Sequence, residues 1–169
     1  MKIRLSGIVN DSITDGPGLR LAVFAQGCGH GCPGCHNPGS HSLTGGYEED
    51  TERIAELAGE NPLISGVTFT GGEPFLQAEA FCEAARRIRE GLPHLTIITY
   101  TGYTWEELEK IPGAEGLVRL SDYIVDGRFV MGERSLDLMY MGSRNQRFID
   151  VGKTLEKGTV TSLELQVER

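Results

Sequence analysis

Cys28, Cys32 and Cys35 fall in the run Cys-Gly-His-Gly-Cys-Pro-Gly-Cys. Three thiolates so close together on a glycine-rich loop can converge on three corners of a cuboidal iron–sulfur cluster. A closed [4Fe–4S] centre takes four thiolates, and no fourth cysteine lies nearby. One iron would therefore stay open to a ligand from solution, which points to chemistry rather than storage or simple electron transfer. Gly29, Gly31 and Gly34 lack a Cβ, so the chain can fold tightly round an inorganic core. Two other readings of the same residues stay open at this point. One is a zinc knuckle whose fourth ligand is His30 or His36, and the other is part of a disulfide framework.

The elements that must position this loop belong to a chain of 169 residues. That is enough for one domain with a real core but short of a complete eight-fold βα barrel. The composition, 39% hydrophobic and 24% charged, is that of a globular protein. No apolar run approaches membrane-spanning length, so no membrane partner is expected. Residues 1–5 lack the long apolar stretch of a signal peptide. The expected location is therefore the cytoplasm, with the four cysteines reduced, which argues against disulfides. A net charge of −8 argues against a nucleic-acid partner, since phosphate backbones are bound by clustered Lys and Arg.

Strands are expected at residues 19–25, 64–70, 95–100 and 122–126, all short and rich in apolar or β-branched residues. Helical spacing of Ile54, Leu57 and Ala58 predicts a helix over 47–59. A second covers 76–91, with Phe81, Ala84, Ala85 and Ile88 on one stripe and Gly91-Leu92-Pro93 as its stop. Thr104-Trp105-Glu106-Glu107 reads as a capping box opening a short helix. Strands alternating with helices predict an α/β fold, a mainly parallel sheet covered by helices. With about four such units the sheet should form an open, partial (β/α) barrel.

In that architecture ligands sit at the C-terminal ends of the strands. The cysteine loop follows the first strand and Gly71-Gly72-Glu73-Pro74 the second. Residues 99–103 (Thr-Tyr-Thr-Gly-Tyr) follow the third, and Asp126-Gly127 the fourth. All four unusual loops are thereby expected on one rim.

Cys-x₃-Cys-x₂-Cys followed by Gly-Gly-Glu-Pro resembles the radical S-adenosylmethionine enzymes. Asp15-Gly16-Pro17-Gly18-Leu19-Arg20, just ahead of the cysteines, resembles the signature of the glycyl-radical-enzyme activases. Cys35-His36-Asn37-Pro38, Thr101-Gly102-Tyr103, residues 125–129 (Val-Asp-Gly-Arg-Phe) and 142–146 (Gly-Ser-Arg-Asn-Gln) narrow it further. Together they are similar to the activating proteins of anaerobic (class III) ribonucleoside-triphosphate reductase. The resemblance spans about residues 3–151, which gives an activase domain over 1–151 and a C-terminal tail, 152–169, of unassigned role.

The resemblance implies that Cys28, Cys32 and Cys35 hold three irons of a [4Fe–4S] cluster. It implies that the amino and carboxylate groups of S-adenosylmethionine chelate the fourth. Cleavage would give methionine and a 5′-deoxyadenosyl radical, which abstracts hydrogen from a backbone glycine of the reductase large subunit. An external one-electron donor such as flavodoxin or ferredoxin would supply the electron. Gly71 and Gly72 would let the backbone approach the methionine moiety, and Glu73 would accept from its ammonium. His36 would shield the cluster, and Asn37 belongs to the same cofactor-binding set. Asp126 would make a polar contact at the rim, against the alternative of a helix or turn cap. By themselves, Gly-Gly-Glu-Pro and Asp15-Gly16-Pro17-Gly18 are plain turns.

His30, His41 and His94 read as ordinary surface or loop histidines, and Cys82 as a small hydrophobe in its helix. Arg144, Asn145 and Gln146 fit a cofactor or partner contact, although a polar loop needs no such role. Two other functions share these motifs. One is a radical S-adenosylmethionine catalyst acting on another glycyl-radical enzyme or on a small molecule such as a deazaguanine precursor. The other is a non-catalytic iron–sulfur or zinc module.

Overall fold

The first strand, β1 (Lys2–Ser12), alternates apolar and polar residues, and Ile3 and Leu5 point into the core. This computed structural model describes residues 1–165. β2 (Arg20–Ala25) runs antiparallel to β1 and leads into the cysteine loop. β3 (Tyr47–Asp50) and α1 (Thr51–Glu60) follow, then β4 (Gly66–Gly71), a 3₁₀ turn over Pro74–Gln77 and α2 (Ala78–Gly91). β5 (Thr96–Tyr100), α3 (Trp105–Leu108), α4 (Ala114–Leu120) and β6 (Tyr123–Asp126) complete the parallel part. β7 (Arg147–Asp150), α5 (Val151–Lys157) and the two-residue β8 (Ser162–Leu163) close the described chain.

The eight strands make one sheet in the order β3-β1-β2-β4-β5-β6-β7-β8. The four central strands, β2, β4, β5 and β6, are parallel, and the flanking pairs are antiparallel. Among the described residues the sheet does not close on itself, so the architecture is an open α/β sheet with the four expected parallel strands at its centre.

The period of two along each strand sorts side chains onto two faces. Val67 and Phe69 of β4, Ile97 of β5, Ile124 of β6 and Ile149 of β7 join the larger core under the helices. The α2 stripe Phe81, Ala84, Ala85 and Ile88 is fully buried there, with Phe81 edge-on to Phe69 at 5.0 Å between ring centres. On the opposite face Ile98, Val125 and Phe148 form a smaller cluster, joined by Tyr100, Tyr140, Leu163 and Leu165.

The four expected strands shift by one or two residues at their ends, and two helix starts differ more tellingly from the sequence expectation. Residues 47–50 are strand, not the first turn of a helix, and α1 begins only at Thr51. The acidic run Glu48-Glu49-Asp50 lies antiparallel to Lys2-Ile3-Arg4. Asp50 pairs with Lys2 at 3.4 Å and with the N-terminal ammonium at 3.1 Å. Cross-strand charge pairing thus overrides local helix spacing. α2 starts two residues late because Gln77 is occupied with β1, accepting from Arg4 N at 2.8 Å and donating to Arg4 O at 2.9 Å.

The segment expected as a tail adds α5 and a strand of the sheet that ends at Leu163. β8 pairs with β7, and Leu163 and Leu165 cover the smaller cluster. Residues 166–169 of that tail lie outside the described residues.

Candidate active site

The cysteine loop leaves β2 at Gln26, whose buried amide donates to Ser42 O at 2.7 Å. Gly27 N donates to Ser40 O at 2.6 Å and Cys28 N to His41 O at 3.2 Å, so the returning chain clamps the base of the loop. Cys35 N donates to Cys32 O (3.2 Å), and Asn37 N to the Cys35 sulfur (3.4 Å). All three cysteines are free and half-buried.

β4 arrives beside this loop because its end carries two glycines. A Cβ on Gly72 would lie 2.4 Å from Gly27 O, and one on Gly71 2.7 Å from Ala25 N, both backbone atoms. Without those Cβ atoms, Gly72 N reaches Ala25 O and Glu73 N reaches Gly27 O, each at 2.8 Å. The pair therefore serves first to bring two strand ends into contact.

One cavity of ≈ 420 Å³ lies at the C-terminal rim of the parallel strands. Cys28, Cys32, Cys35, His36 and Asn37 line it from the first loop, and Thr70, Gly71 and Gly72 from the end of β4. Tyr100, Thr101 and Gly102 line it from β5, and Gly127 and Phe129 from β6. The four loops expected on one rim share this cavity. Thr14 and Asp15 form a further wall. Arg20, 1% exposed, anchors that wall: it donates to Pro17 O at 3.2 Å and Thr68 Oγ1 at 2.8 Å, and Thr68 Oγ1 donates to Asp15 O at 2.8 Å. Burial pushes the Arg20 pKa down to about 10. Tyr140 closes the far side with φ +65°, and its carbonyl accepts from the Tyr100 hydroxyl at 2.7 Å.

Two predicted site residues are turned elsewhere. Asp126 shares its strand face with Ile124, towards the helices, and is 1% exposed. It accepts from Trp105 N at 2.8 Å, at the start of α3, and from Arg147 Nη2 at 2.6 Å. The bond to Trp105 N is the cap alternative weighed from the sequence, and the ion pair with Arg147 adds to it. Glu73, also 1% exposed, is engaged by the protein itself, accepting from Phe75 N at 3.0 Å, Gly102 N at 2.8 Å and Thr101 Oγ1 at 2.9 Å. The expectation that its carboxylate stands ready for an ammonium thus meets oxygens already occupied.

The sequence reading missed His30, which faces Glu73 rather than solvent. It also gave Asn145 and Gln146 open roles. Gln146 Oε1 accepts from Gly142 N (2.8 Å), its Nε2 donates to Gly127 O (2.9 Å), and Asn145 Nδ2 donates to Arg128 O (2.7 Å). These bonds staple the wall formed by residues 127–146.

The Cys28 thiol is pushed up by burial, with Glu73, Cys32 and Cys35 adding to the effect and a His30 backbone hydrogen bond opposing it. Among the described residues no three His, Cys, Asp or Glu side chains are gathered closely enough to chelate a single ion. The three thiols instead border a cavity. A soft, all-sulfur donor set on one loop, with a backbone N–H already aimed at one sulfur, fits a multi-iron cluster better than a hard cation.

An open α/β sheet with three cysteines and a glycine-rich strand end round one rim cavity defines a cluster-bearing cofactor enzyme. The chain matches the 4Fe-4S single cluster domain family over residues 14–149. It is 32% identical over 140 residues to the anaerobic ribonucleoside-triphosphate reductase-activating protein of Vibrio cholerae, covering 79% of this chain and 89% of that one. The protein of the same name from Escherichia coli K12 is 31% identical, with 79% and 90% covered. The pyruvate formate-lyase-activating enzyme of Clostridium pasteurianum is 37% identical over 128 residues, 73% of this chain and 53% of that one. The chain therefore belongs to the 4Fe–4S single-cluster family, among the radical S-adenosylmethionine activases that generate glycyl radicals. Its cofactors are a [4Fe–4S] cluster and S-adenosylmethionine.

Proposed function

We propose that this chain activates an anaerobic ribonucleoside-triphosphate reductase by installing a glycyl radical on its large subunit. Cys28, Cys32 and Cys35 hold the cluster, and Gly71, Gly72, His36 and Asn37 border the cofactor. When bound, these groups supply one-electron reductive cleavage of a sulfonium, with flavodoxin or ferredoxin as the electron source, in the cytoplasm.

The observation that carries this reading is that all four strand-end loops share one cavity on a sheet that is open at its edges. The residues of this chain bind, orient and partly enclose. Thr14, Asp15 and Tyr140 wall the cavity, while the bonds of Arg20 and Gln146 fix those walls. The enclosure is incomplete, and a reactive site must exclude solvent. A macromolecular substrate completes it by laying its own glycine-bearing segment across the opening. Glycine suits that place because its Cα can enter a narrow site and a radical there is stabilised by the flanking amides.

The test is product counting. Reduced, iron-loaded protein with S-adenosylmethionine should form methionine and 5′-deoxyadenosine much faster when the reductase large subunit is added. The yield should stop near one equivalent per activated subunit. Many turnovers on a small molecule, with no response to that subunit, would favour the small-molecule catalyst instead.

A further inference from the structure

His30 lies between the first two cysteines, and its side chain is 7% exposed. The ring stands edge-on to Tyr103, 4.5 Å between centres at 77°. It also lies over Gly102, where an added Cβ would sit 2.4 Å from His30 Cδ2. Its Nε2 is 2.7 Å from Glu73 Oε2. An ionised carboxylate only accepts and has about four acceptor sites. Those of Glu73 are taken by Phe75 N, Gly102 N, Thr101 Oγ1 and His30. The His30–Glu73 contact thus belongs to a buried network of four partners round one carboxyl group.

Backbone bonds secure the loop at Gly27 and Cys28 and again at the Cys32–Cys35 turn. Between these anchors, the His30 side chain ties the loop to the ends of β4 and β5. We propose that His30 is a positioning residue. Its bond to Glu73 sets the Cys28–Cys32 segment against Gly-Gly-Glu-Pro, and Glu73 acts on the cluster loop rather than on the ammonium of the cofactor. This rests on the cluster reading above. It also explains why Gly102 carries no side chain: the imidazole fills that space.

Two readouts test it: iron loss to a chelator from the reconstituted protein, and amide hydrogen exchange across residues 29–34 in the metal-free protein. His30→Ala should speed iron loss by about tenfold or more, the loss of a charged hydrogen bond, and should raise exchange in the loop. His30→Gln, whose amide reaches the place of Nε2, should restore both. Glu73→Gln should speed iron loss at least as much as His30→Ala, since it also breaks a backbone N–H bond, and the double variant should be no worse than Glu73→Gln alone. Circular dichroism of each metal-free variant confirms that it folds. Wild-type iron retention in His30→Ala, no rescue by His30→Gln, or additive effects in the double variant would each overturn the proposal. So would Glu73→Gln weakening only S-adenosylmethionine binding. A wild-type protein that takes up no iron would instead refute the cluster reading, and the exchange measurement would still judge the latch.

Discussion

Replacing Asp126 separates a structural carboxylate from a cofactor contact. In Asp126→Ala, the Trp105 N–H at the start of α3 loses its acceptor in a site where Trp105 itself is buried. A buried donor left unsatisfied costs about 1–3 kcal/mol. Arg147 loses its bonds to Asp126, but it is 32% exposed and keeps Glu106 at 2.8 Å, so that part is about 1 kcal/mol. The total is about 2–4 kcal/mol. For a chain of this size each kcal/mol moves the melting temperature by about 2–4 °C, so a drop of roughly 4–16 °C is expected. Asp126→Asn keeps an oxygen for Trp105 N and should lose about half as much. Thermal unfolding of the metal-free protein reads the stability, and equilibrium dialysis of the iron-loaded protein reads S-adenosylmethionine affinity, which should change little. An unchanged melting temperature with lost cofactor affinity would refute the assignment and return Asp126 to the cavity.

Replacing Cys28, Cys32 or Cys35 with Ala should abolish iron uptake on anaerobic reconstitution, whereas Cys82→Ser, on the helical face under Gly116, should leave it near about four irons per chain; metal analysis decides. Gly72→Ala must push a Cβ against the Gly27 and Ala25 carbonyls, which should cost about 1–3 kcal/mol by overpacking and slow iron uptake, as melting and reconstitution kinetics will show. Glu107, 40% exposed, is held down at about 2 by the Arg128 guanidinium and by the Thr104 backbone N–H of the capping box. Its contribution is thus present above the ordinary carboxylate pKa and lost as pH falls through about 2. Solvent screening keeps it below about 1 kcal/mol, so Glu107→Gln should melt a few degrees low at about pH 7, with the gap narrowing as the pH falls below the ordinary carboxylate range.

What could be read from the sequence was local. Cysteine spacing, β-branched runs, the helical stripe through Phe81 and Ile88 and the capping box at Thr104 are each set by neighbours a few residues apart. They located the four parallel strands and the shared rim. What escaped depends on partners far along the chain. β3 is a strand through its antiparallel pairing with β1, where Lys2 and Arg4 face its acids. β7 and β8 are too short for a periodic signal and exist by pairing with each other and with β6. His30 reads as a loop histidine until Glu73, 43 residues on, arrives beside it. Asp126 shows the same limit from the other side: its place at a strand end suggested a ligand contact, while the strand's alternation turns it towards α3.

The central claim is the transfer of a radical to a glycine of a partner protein, and electron paramagnetic resonance tests it most directly. Reduced protein, S-adenosylmethionine and the large subunit of an anaerobic ribonucleoside-triphosphate reductase are mixed without oxygen and frozen. The account predicts the doublet of a glycyl radical, collapsing to a narrower line when the partner's glycine carries deuterium at Cα. The doublet should be absent with Cys28→Ala, Cys32→Ala or Cys35→Ala. Cofactor cleavage with no such signal on the partner would contradict it.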